Sequence, residues 1–227
     1  QTSIKVKMPS PSKTVFLDII KSLLDRDHIF PARYLMNFSD INPADLASLI
    51  GIWDQITVDR RISLLSDLEN LAESDTLTNF DPIALHALSD PDPNVRVLAI
   101  RLLWECEDLS LADRFMNMMQ SDPDQLVQAA AASALGSFIY EGELDEIPVR
   151  VLNKIVDAVT DTYKSTRSPE VKRRALESLG FSSRDEVDQY IKEMYRSERI
   201  EDTASALFAM GRSADNRWTS IVQSNIN

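Results

Sequence analysis

Glycine is scarce, at 5 of 227 residues, too few for the many tight turns of an all-β fold. Leu, Ala and Ile abound instead, a composition suited to long helices. A single cysteine, Cys106, excludes an internal disulfide, and no CxxC pair or His/Cys cluster offers a zinc site. This usage points to the cytoplasm. No apolar run reaches the roughly 18 residues needed to cross a bilayer, and the N-terminus lacks the apolar stretch of a signal peptide. Positive charge is also short: 24 Lys and Arg stand against 36 Asp and Glu, a net charge of −12. A surface of that sign repels phosphate backbones and anionic headgroups, which argues against nucleic acid and membrane as partners. GxSxG, Walker and GxGxxG motifs are absent, and His28 and His86 belong to no HExxH pattern. The sequence therefore calls for no catalytic residue, no cofactor and no metal.

What is present is an internal repeat. Asp90-Pro91-Asp92-Pro93-Asn94-Val95-Arg96 leads into Ala99, Leu102 and Leu103, which mark one apolar helical face. The frame recurs as Asp122-Pro123-Asp124 with Val127, Ala131, Ala134 and Leu135, closed by Gly136. It recurs again as Ser168-Pro169-Glu170 with Val171, Ala175 and Leu179, closed by Gly180. A degenerate fourth copy keeps Ala206, Ala209 and Met210 before Gly211, but has Asp202 where valine stood. Other helices fall between these, one with Val187, Tyr190 and Ile191, another with Trp218, Ile221 and Val222, so each repeat is a helix pair. Asp or Ser ahead of a helix caps its free N–H groups, and Pro in the first turn gives up no bonded donor. Glycine after the last apolar position is expected to adopt the left-handed C′ conformation. The segment Tyr140 to Pro148 lengthens one period and is expected to be a solvated acidic loop on one edge, carrying Glu141, Glu143, Asp145 and Glu146.

The pattern Asp-Pro-x-x-x-Val-Arg-x-x-Ala-x-x-x-Leu, from Asp90 to Leu103, resembles the second helix of a HEAT repeat, in particular the bacterial HEAT-like group of the phycobilin-lyase type. The resemblance implies an all-α fold, an α-α superhelix or solenoid of antiparallel helix pairs. On that basis residues 1–13 are an N-terminal arm, or residues foreign to the native chain. Residues 14–227 form one domain: a divergent cap and hairpin over 14–80, recognisable repeats over 81–211 and an incomplete last repeat over 212–227. In the N-terminal part, helical patterning places helices from Ser12 to Asp25, Pro31 to Met36, about 43 to 54 and 57 to 73. At the C-terminus a helix over Ala214 to Gln223 has no partner helix after it. Its face around Trp218, with Ile221 and Val222, is expected to be open for contact with another subunit.

Arg96, Gln128 and Lys172 hold equivalent positions after the anchoring valines. In HEAT-like arrays such residues form a ladder between repeats, often with the Asp ahead of the helix. The rival reading is a basic partner-binding stripe, joined by Arg101, Arg173 and Arg60, that recruits an acidic ligand. Trp53, Trp104 and Trp218 each fall on the apolar side or end of a helix and are expected in the core, and Cys106 is expected to pack near the end of a second helix. The functional expectation is a non-catalytic scaffold or adaptor that binds another protein. A bilin lyase-like enzyme or lyase subunit is the alternative the resemblance brings, and a HEAT-like nucleic-acid-binding protein is the second.

Overall fold

The computed structural model describes residues 13–106 and 108–225, and among them every regular element is helical. The proposed arm lies outside the described residues except for Lys13, which begins the first helix. The chain gathers into two compact units, one reaching Leu103 and one starting at Trp104.

In the first unit, α1 (Lys13–Leu24) and a 3-10 helix (Ala32–Phe38) precede α2 (Pro43–Ile52), which a 3-10 turn (Trp53–Gln55) extends. Then come α3 (Val58–Ser74), α4 (Asp81–Ala87) and α5 (Pro93–Leu102). Phe38 is fully buried, with Phe16 at 6.3 Å and Phe30 at 6.1 Å between ring centroids, in the inclined arrangements aromatic pairs prefer. α2 touches α4, α3 lies along α5, and α4 packs on α5. The four helices thus make two layers, with Leu64, Leu65, Leu68, Ile83, Val95 and Ala99 sealed between them.

The second unit stacks three helical hairpins. They are α6 (Ser110–Ser121) with α7 (Gln125–Glu143), α8 (Val149–Ser165) with α9 (Pro169–Leu179), and α10 (Asp185–Tyr195) with α11 (Ile200–Arg212). A 3-10 turn (Asn216–Trp218) and α12 (Thr219–Ser224) follow. The second helices α7, α9 and α11 lie side by side, and the positions aligned from sequence are the ones they bury: Val127, Ala131 and Leu135, then Val171, Ala175 and Leu179, then Ala206, Ala209 and Met210.

Each turn between paired helices is built the same way. The Asp92 N–H donates to the Asp90 carboxylate at 2.9 Å, the Asp124 N–H to Asp122 at 2.9 Å, the Ser168 N–H to the Thr166 hydroxyl at 3.2 Å, and the Arg199 N–H to the Ser197 hydroxyl at 3.2 Å. Asp92, Asp124 and Ser168 then cap their helices, each worth about 1 kcal/mol. Six residues after the turn begins, a side chain reaches back to its first carbonyl: Arg96 to Asp90 at 2.8 Å, Gln128 to Asp122 at 2.7 Å and Thr203 to Ser197 at 3.4 Å. Thr166 and Ser197 were invisible as members of this set because a hydroxyl there substitutes for the carboxylate.

The glycines have a different role from the one expected. None of the five has a positive φ; the left-handed positions are Asp40, Asp145 and Ala214. Gly136 lies within α7, where an added Cβ would come 2.9 Å from the Ser178 hydroxyl of α9. Gly180 caps α9 in the right-handed region, and a Cβ there would lie 2.8 Å from the Ala209 backbone of α11. They permit close approach of neighbouring second helices. Gly211 is inside α11 with open space around it.

Three further expectations are corrected. Only the second half of Tyr140 to Pro148 is the expected loop: α7 continues to Glu143 and ends in a Schellman motif, and the turn over residues 144–148 carries Asp145 and Glu146, both exposed. Asp145 takes the left-handed position at φ 61°, the Glu146 N–H donates to the Glu141 carbonyl at 2.9 Å, and the Asp145 N–H to that of Gly142 at 3.1 Å. Trp53 and Trp218 are buried, but Trp104 is 55% exposed, since α5 stops at Leu102 and leaves the indole in the following turn. The C-terminal face is not open at Trp218, which is 5% exposed: Lys192 of α10 lies 5.6 Å from its ring centroid and Arg217 pairs with Asp188 at 2.7 Å.

Replacing Gly180 by Ala forces backbone apart and is expected to cost about 1–3 kcal/mol. Gly211→Ala meets nothing and is expected to gain about 0.5–1 kcal/mol from helix propensity. Urea unfolding of both variants checks this, and equal losses would restore the C′ reading.

Candidate interaction surface

The five residues expected to bind a partner do not present a common set of unpaired cations. In the first unit Arg96 is buried, with its guanidinium on the carbonyls of Asp90 and Pro91. Arg101 pairs with Glu69 of α3 at 2.6 Å. Arg60 is likewise engaged, donating to the carbonyls of Asp25 and His28. In the second unit Gln128 closes its turn, and Arg173 is bound between Glu170 and Asp202. Asp202, the residue that replaces valine in the fourth frame, is the acceptor that ties α11 to α9. Lys172 differs from all of these: its ammonium sits 4.9 Å over the Tyr163 ring, and no ion pair or hydrogen bond holds it among the described residues.

A rung between repeats does exist, and its basic member was missed. Arg61 stands four residues after Thr57, the capping position of α3, just as Arg96 stands four after Asp92. Its guanidinium donates to the Asp90 carboxylate, which begins the following repeat's turn. The Trp53 indole N–H donates to the same oxygen at 2.7 Å. Arg61 and Asp90 are 5% and 4% exposed, so each charge depends on the other. The sequence hid Arg61 because α3 lacks the Asp-Pro start and the valine anchor.

His86 packs edge-on to Trp53 at 5.4 Å. Burial lowers its pKa, against a smaller opposing pull from Asp54 and Asp90. Neutral imidazole is the folded form that this favours.

Two surface features of the second unit stand out, and only the second includes a residue of the predicted stripe, Lys172. The first is aromatic. In the last turn of α7, Tyr140 meets Phe181, just beyond the end of α9, at 5.2 Å. The Arg212 guanidinium lies 4.6 Å from the Phe181 ring centroid and 4.3 Å from that of Phe208 on α11. Arg212 is fixed by a 2.9 Å bond to the Glu177 carbonyl. Tyr140 and Phe208 are 50% and 52% exposed. The row thus runs across three successive hairpins, and no period-based alignment finds it, because its members sit at different frame positions.

The second feature is a groove of about 390 Å³ between the α8–α9 and α10–α11 turns, lined in part by Arg167, Lys172 and Arg199 with Tyr163 at its wall. The Tyr163 phenol is pushed up to about 12, chiefly by burial and then by Glu193, Tyr190 and Asp202. It remains a neutral donor, to the Tyr190 carbonyl at 3.4 Å. Among the described residues no group of three or more His, Cys, Asp or Glu side chains could hold a metal ion, and no helix is long and apolar enough to cross a membrane.

A family model described as HEAT repeats matches residues 82–149. No curated protein and no solved structure matches the chain. The match is to HEAT repeats as such and carries nothing particular to the phycobilin-lyase type.

Asp90→Ala strands a buried guanidinium and is expected to destabilise by about 3–5 kcal/mol. Adding Arg61→Met should recover part of that loss, so denaturant midpoints of the single and double variants test the coupling. His86 has a depressed folded-state pKa, so its contribution is complete above the unfolded value of 6.5 and falls away as pH drops through the lower folded value. His86→Phe is expected to flatten the stability profile in that window, measured by melting at stepped pH.

Proposed function

We propose that this HEAT-repeat chain is a non-catalytic scaffold or adaptor that binds another protein in the cytoplasm. Stacked hairpins give a continuous face whose area grows with repeat number, the arrangement by which solenoids hold extended partners. The observation that carries the reading is the row Tyr140, Phe181, Arg212 and Phe208. Aromatic residues and arginine dominate the energy of protein interfaces because they offer large contact areas at small cost in conformational entropy. Here the arginine is already stacked and hydrogen-bonded, so little ordering remains for binding. The exposed half of each ring adds nothing to the stability of the chain, whereas a partner with an apolar ridge gains by covering it.

Affinity cross-linking of the tagged chain in lysate of its source organism, read by mass spectrometry, is expected to recover a stoichiometric protein. Phe208→Ala and Tyr140→Ala should each reduce that recovery about tenfold or more, the effect of removing an interface hot spot. Leu77→Ala, at an exposed position of the first unit, should leave it unchanged. Recovery that ignores both aromatic variants would overturn the assignment of this face.

A further inference from the structure

We propose that the groove between the α8–α9 and α10–α11 turns receives an oxyanion, a carboxylate or phosphate group borne by an exposed segment of the partner protein. This rests on the scaffold reading and names the chemistry the partner must present.

Charge in the groove is unevenly spent. Of the two carboxylates on its wall, Asp202 pairs with Arg173 at 3.4 Å and accepts from the Ser197 hydroxyl at 2.8 Å, while Glu193 accepts from the neutral Gln189 amide at 2.7 Å and keeps its charge, one against three cations. Arg167, Lys172 and Arg199 line the same space, and their side chains make no ion pair or hydrogen bond among the described residues. Most other arginines of this unit, including Arg173, Arg174, Arg184, Arg212 and Arg217, are paired or hydrogen-bonded. Three unspent cations around one concavity are unexpected in a chain with net charge −12.

The position of Lys172 explains why its own charge is free. In three of the four turns the equivalent side chain closes on the carbonyl six residues back. Lys172 instead rests on the Tyr163 ring, where the π face stabilises an ammonium without consuming its N–H donors. At the facing turn, Arg199 holds the cap position of α11, whose first turn already carries Glu201 and Asp202, so the pull on an anion comes from the cationic side chains and not from the helix end. The volume, about 390 Å³, is at the low end for a ligand site and suits one or two side chains. A nucleic acid needs a continuous basic track for successive phosphates; this is a single pocket, and the chain as a whole repels a polyanion.

Fluorescence anisotropy of the full chain tests this with three labelled probes: a Gly/Ser decapeptide carrying two glutamates, the same peptide with two phosphoserines instead, and a deoxythymidine decamer. At least one peptide is expected to bind saturably and to weaken with added salt, and which one binds identifies the source of the oxyanion. Arg167→Gln with Arg199→Gln, both exposed positions, should raise its Kd about tenfold or more, as should Lys172→Gln. Arg150→Gln, on an exposed residue outside the groove, and Phe208→Ala should not. Thermal melts of each variant confirm folding. The proposal is overturned if neither peptide binds, if binding ignores the groove variants, or if the oligonucleotide binds more tightly through the same residues. Because Phe208→Ala is silent here, failure of this assay leaves the cross-linking test of the scaffold reading intact.

Discussion

A turn between two packed helices leaves backbone carbonyls and N–H groups that are partly shielded from water once the hairpins stack, and pairing them within the turn fixes its shape. This chain pairs them with one local device used four times: an acceptor at the start of the turn takes the N–H two residues on, and in three of the four turns a side chain six residues on returns to its carbonyl. With the turns fixed, the start of each second helix is fixed as well. Its anchoring residues, Val95, Val127 and Val171, are then all buried.

From that constraint come the contacts between repeats. A turn that presents its leading carboxylate inward gives Arg61 an acceptor in Asp90, and the buried pair couples α3 to the turn before α5. Where second helices approach closely, as at Gly136 on Ser178 and Gly180 on Ala209, one side of the contact is a glycine and the other a small residue. Ser178 then donates to the Ala132 carbonyl at 2.8 Å across the α7–α9 contact, satisfying a buried hydroxyl as well as filling the space.

The same device accounts for the surface. Lys172 occupies the returning position without making the returning bond, and its ammonium is consequently available beside Arg167 and Arg199. At the opposite ends of the second helices, α7 runs on to Glu143 and brings Tyr140 against Phe181, which begins the aromatic row. One edge of the unit is thus basic and polar and the other aromatic, from helices that share one frame.

The helical class, the hairpin frame and its caps were legible in the sequence because they depend on residues close along the chain: Asp92 and Asp124 act on N–H groups two or three residues away, and the periodic apolar face is the signature of a single helix. The roles of the glycines, of Arg61 and of the cations were decided only by tertiary structure. Whether Gly180 ends a helix or admits a neighbour depends on where Ala209 lies, 29 positions later. Arg61 meets its acceptor 29 residues away, and Arg173 and Lys172, adjacent in sequence, differ in that one reaches Asp202 and the other a tyrosine ring. Charge along the chain fixes the sum of the electrostatics; which charges neutralise one another, and which are left for a partner, is fixed by distances that exist only after the hairpins pack.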